Sequence, residues 1–142
     1  MERFGGTMFA KSGDSTSSLS LALGSRLAIK TLVASRGQVH IDNQVRSTVL
    51  DVVASLNAIS MQGPLFEHLT APSNFERYEQ FELLAETQSA FHDRDLKGRL
   101  NAILTDTNIE ERQNNIDLAI DFFTALESRA LQRYNNAVNP SF

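Results

Sequence analysis

Between Asp42 and Gly63 the chain carries apolar side chains at Val45, Val49, Val52, Leu56 and Ile59. Steps of four, three, four and three place all five on one face of an α-helix, and no strand can do the same, because a strand alternates every second residue. Valine by itself favours strands. The spacing overrides that preference and predicts a helix from Asp42, a good N-cap residue, to Gly63-Pro64, which stops it. This segment limits the chain to folds that bury a helix by one stripe.

The remaining segments read the same way. The first helix is expected to begin near Asp14 or Ser15 and to run to Ser35, with Gly37 as the terminating glycine. Its apolar residues go almost fully round: Leu19, Leu23, Leu27 and Ala34 on one side, Ala22, Ile29 and Val33 beside them, Leu21, Ala28 and Leu32 opposite. A helix apolar on most faces is expected to be buried on most faces. Gly24, Ser20, Ser25 and Ala28 would let a neighbour approach closely.

Residues 38–41 form a connector and 65–72 a loop or helical turn. Ser73-Asn74-Phe75-Glu76 is a capping-box sequence that opens a third helix to about Phe91, with Tyr78, Phe81, Leu84 and Ala85 inward. His92-Asp93 breaks the chain before a short helix through Leu96, Leu100, Ile103 and Leu104. Thr107-Asn108-Ile109-Glu110 is a second capping box, opening the longest helix, which ends near Asn136.

Strand signals are nearly absent, so the expected fold class is all-α, a bundle of four to five helices with an extended N-terminal arm. The chain of 142 residues fits one domain. Residues 1–18 are assigned to the arm, 19–138 to the helical domain and 139–142 to a C-terminal tail.

Residues in patterns that carry chemistry are few. Without cysteine there are no disulfides, thiolate metal sites or thiol nucleophiles. His40, His68 and His92 are isolated on connectors, and no HExxH or ExxH spacing occurs. His92-Asp93 lacks the further ligands that a metal-dependent phosphohydrolase requires. Glu79, Glu82 and Glu86 fall on one arc of the third helix, a candidate for cation binding or acid–base work, but nothing at helical spacing completes such a site. Neither a phosphate loop nor a nucleophile elbow is present. The expectation is a non-enzymatic protein without metal or cofactor.

The formal net charge of −4 disfavours nucleic acid as partner. Arg94, Lys97 and Arg99 make the densest basic stretch, diluted by Asp93 and Asp95. The apolar run around Leu19 to Ala34 is interrupted by Arg26 and Lys30 and falls short of the roughly 20 residues a membrane span needs. A cytoplasmic location with no membrane contact is therefore expected.

What is left is binding. The last helix has a main apolar face of Ile109, Ile116, Ala119, Ile120, Phe123, Leu126, Ala130 and Tyr134, and a second stripe of Leu118, Phe122 and Ala125 nearly opposite. Two apolar faces mean that the helix is central or that its second face meets another chain. Glu127 lies on the main face and is expected to reach solvent or Arg112, Arg129 or Arg133. The arm offers Phe4, Met8 and Phe9 as docking anchors.

The sequence therefore points to a protein-interaction module (an adaptor, chaperone or regulator) that partners itself as a homo-oligomer and binds another protein. A subunit of a shell or filament is the alternative. Leu118, Phe122 and Ala125, with Phe4, Met8 and Phe9, are the expected interface, and on that expectation Phe122→Asp gives a folded monomer.

Overall fold

The computed structural model describes residues 12–60 and 75–139, with side chains from 17 to 57 and from 79 to 139. Among these there are five α-helices and no strand: α1 (Ser12–Ser35), α2 (Asn43–Ser60), α3 (Phe75–Ser89), α4 (Leu96–Thr105) and α5 (Ile109–Val138), with one 3₁₀ turn at His92–Arg94. The all-α bundle is as expected. Helix α1 begins earlier than the sequence indicates, so residues 12–18 of the segment assigned to the arm are helical.

The helix ends follow local chemistry. Asp42 caps α2, its Oδ1 accepting from the Val45 amide at 3.0 Å. Helix α1 stops before Gly37, which adopts φ 83°, a left-handed conformation that glycine tolerates best. The N-cap of α5 is Asn108, one residue later than the Thr107 box predicts; Asn108 Oδ1 accepts from the Glu111 amide at 3.0 Å. Helix α3 ends at Ser89, two residues short of expectation. Asp95 then holds φ 49°, and this left-handed residue separates the 3₁₀ turn from α4.

Helix α5 is the hub. It packs along α1, and α3 and α4 close on it from other sides; α2 rests on α4 and α3 and touches α1 only slightly. The predicted α2 stripe is inside, with Val45, Val49, Val52 and Leu56 all buried. Phe122 stands at the centre, fully enclosed. It meets Phe91 edge-on at 5.8 Å between ring centroids and Phe123 edge-on at 5.5 Å, the geometry that the ring quadrupoles favour.

This corrects the reading of the second stripe on α5. Leu118 and Phe122 are buried in the chain's own core, and Ala125 is packed against it. The helix has two apolar faces because it is central.

Candidate functional site

The faces of α1 are inverted relative to size. Ser18, Ala22, Ser25, Ile29 and Leu32 recur at helical spacing and are buried, most of them small residues that let α1 lie close to α5. On the opposite side Leu23 is 63% exposed and Leu27 59% exposed. The expectation that a helix apolar on most faces is buried on most faces fails on this side, because no helix of the described residues covers Leu23 and Leu27. Gly24 and Ala34 are exposed on the same side.

Beside this face a cleft of about 280 Å³ opens between α1 and α2. It exists because those two helices barely touch. Leu27 and Ala28 form one wall, Thr48, Val52 and Ser55 the other, and Leu84, Phe123 and Leu126 the floor. The wall hydroxyls are turned back onto their own helix: Thr48 Oγ1 donates to the Gln44 carbonyl at 2.9 Å and Ser55 Oγ to that of Asp51 at 3.0 Å. The cleft presents methyl and methylene groups, with Asp51 as the acidic group in its lining. Asp51 is the one carboxylate among its lining residues, and no histidine lines it.

The other candidates resolve as structural contacts. Glu79, Glu82 and Glu86 converge on one arginine of α5. Arg133 Nη1 lies 3.1 Å from Glu79 and 2.6 Å from Glu82, and Nη2 lies 3.3 Å from Glu86. The row is an inter-helix ion network, and its partner was hidden because Arg133 is 47 or more residues away. Glu127 pairs with Arg26, not with Arg112, Arg129 or Arg133.

His92 is exposed, with Nδ1 2.9 Å from the Ser89 carbonyl and Nε2 2.9 Å from Asp93. Among the described residues no group of three His, Asp or Glu is placed to hold a metal ion. Arg94 lies over the Phe91 ring and 3.7 Å from Asp121, and Arg99 Nε donates to Asn115 at 2.9 Å. These two arginines are thus committed within the fold. Among the described residues no helix is long and apolar enough to cross a membrane. Phe4, Met8, Phe9 and His68 lie outside the described residues.

Leu23 and Leu27 are the exposed apolar residues that sequence reasoning placed inside. The signal was present in the small-residue row Ser18, Ala22, Ser25, which marks the side a close neighbour takes and leaves the leucines on the other.

No family model, curated protein or solved structure matches this chain.

Proposed function

We propose that this chain works by protein–protein association through the outward face of α1, and that its first partner is a second copy of itself. The observation that carries this reading is the exposure of Leu23 and Leu27 on a helix whose small residues face inward. Adjacent large apolar side chains held out in water, beside an apolar cleft, are the usual mark of a contact surface.

An antiparallel pairing of two α1 helices about Leu27 suits the side chains. Leu23 would meet Thr31 and Ser20 would meet Ala34. Gly24 would meet Lys30, which keeps the two lysines apart and lets each aliphatic stem lie over a glycine. The space over Gly24 is open: a Cβ built there meets no heavy atom within 4 Å. The pairing is isologous and closes as a dimer.

Light scattering over a concentration series tests the reading, with Leu23→Asp/Leu27→Asp as the variant. The expected result is a concentration-dependent dimer that the double variant abolishes without loss of helicity. A wild-type chain that stays monomeric at high concentration rejects self-association, and a dimer unaffected by the variant moves the interface off α1. Open-ended growth identifies a polymer subunit instead.

A further inference from the structure

A different part of the molecule points to a small ligand. The connector between α1 and α2 passes over the N-terminal end of α5, and Arg112 fastens it there. Its Nη2 donates to the Gln38 carbonyl at 2.6 Å and to the Val39 carbonyl at 2.7 Å, and its Nη1 to the Asp106 carbonyl at 3.4 Å. The residue is only 7% exposed.

Three bonds use three of the five N–H groups of a guanidinium. The Nε–H and one Nη1–H remain, and no carboxylate of the described residues lies within ion-pair distance of Arg112. Carbonyl oxygens orient a buried cation and solvate it in part, but they do not cancel its unit charge. A structural fastener could have been built from a neutral amide, so the unbalanced charge asks for another explanation.

Arg112 lines a cleft of about 280 Å³. A second arginine, Arg46 of α2, lines it too, and has no carboxylate of the described residues in ion-pair range. Asp106 is the acidic member of the lining, and its Oδ1 is already engaged by the Asn108 amide at 2.9 Å. Two arginines against one carboxylate leave the cleft positive. The hydroxyls of Thr105 and Thr107 add neutral donors. The His40 imidazole lines it as well. The remaining wall is apolar, and Val39 and Ile109 are held out in water at 62% and 45% exposure.

We propose that this cleft binds a small organic anion: an apolar body that lies against Val39 and Ile109 and carries one carboxylate or phosphate group to Arg112 and Arg46. The free Arg112 donors supply charge-assisted hydrogen bonds from a direction fixed by the carbonyls behind them, so the guanidinium is oriented before the ligand arrives. Arg46, on a separate helix, provides the second positive contact. A volume of this size suits a short-chain or single-ring acid.

Nuclear magnetic resonance titration of the full chain tests this, with hexanoate, hexyl phosphate and hexanol as probes. The two anions are expected to shift the Arg112 Nε–H and the Val39 and Ile109 amides saturably, while hexanol leaves them in place. Arg46→Gln should weaken binding about fivefold to tenfold, the loss of one charge-assisted contact. Arg112→Lys keeps the charge and removes the fork, and should weaken it further; Arg46→Gln keeps the test valid if that variant unfolds. The stronger of the two anions identifies the head group. No saturable shift up to about 10 mM overturns the proposal, as does equal binding of hexanol or binding that both variants leave unchanged.

Discussion

Glu127 and Arg26 stand 101 residues apart in the chain and meet in a two-bond ion pair: Nε of Arg26 lies 2.8 Å from one carboxylate oxygen and Nη2 lies 2.6 Å from the other. The carboxylate side chain is 14% exposed and the arginine 53%. This parallel geometry resolves the placement of an acid on the apolar face of α5, and it ties α1 to α5 at a set register.

The pair is half-screened, so its worth is modest. Removing Arg26 leaves Glu127 largely enclosed without its counter-charge, and Arg26→Met is expected to cost about 1 kcal/mol. In a double-mutant cycle with Glu127→Gln, urea unfolding should report a coupling of about 0.5–1.5 kcal/mol. Strictly additive losses would mean that the pair contributes nothing.

Arg133 carries more, because three carboxylates of α3 depend on it. Burial lowers its pKa, but the hydrogen bonds to Glu82 and Glu79 and the charges of both outweigh that, and the guanidinium is held above its ordinary value. A raised pKa stabilises the fold at all pH values below the unfolded one and is lost only as pH climbs through the folded one. The arginine therefore stays charged throughout the neutral range. Arg133→Met should cost about 1–2 kcal/mol, by the same amount at about pH 7 and about pH 10, and added salt should recover part of it by screening the acidic row. Chemical denaturation at the two pH values checks this. A loss that vanishes at the higher pH would contradict the assignment.

Phe122→Ala is expected to cost about 3–5 kcal/mol, since it opens a cavity where two edge-on ring contacts meet. Phe122→Asp should abolish the cooperative transition altogether, because no partner awaits a charge there. Circular dichroism on heating distinguishes this from the folded monomer that an interface residue would give.

How much of this was legible follows from what each signal encodes. The α2 stripe was legible because Val45, Val49, Val52 and Leu56 are all buried on one side of the helix, and periodicity reports that directly. The caps at Asp42 and Gly37 were legible because they are local chemistry. The burial of Phe122 and the pairing of Glu127 with Arg26 were not, since both depend on which helix lies opposite, and pattern along one helix does not name its neighbour. On α1 apolar content misled: hydrophobicity placed Leu23 inside, while side-chain size, through Ser18, Ala22 and Ser25, marked the true contact side.

Two glycines should respond oppositely to one substitution. Gly37 has φ 83°, so Gly37→Ala is strained in spite of open space and should cost about 1 kcal/mol. Gly24 lies within α1 with nothing within 4 Å of a built Cβ, so Gly24→Ala should raise stability by about 0.5–1 kcal/mol through helix propensity alone. Thermal unfolding at low protein concentration, where association does not contribute, reads both signs.

The inversion of α1 makes the sharpest contrast, because it reverses what hydrophobicity alone would forecast. Ala22 is 2% exposed in the seam against α5, while its neighbour Leu23 faces water. Enlarging the smaller residue should therefore do more harm than truncating the larger one. Ala22→Leu forces extra methylenes into a close helix–helix contact and should cost about 1–3 kcal/mol. Leu23→Ala strips a whole isobutyl side chain back to a methyl, yet should fall within about 0.5 kcal/mol of the parent when measured on the dissociated chain. Urea midpoints for the two variants decide between this packing and the alternative in which the leucines face inward, where the order of the two losses would reverse. If Leu23→Ala proves costly only at high concentration, the missing stability lies between chains, where the outward leucines would be expected to supply it.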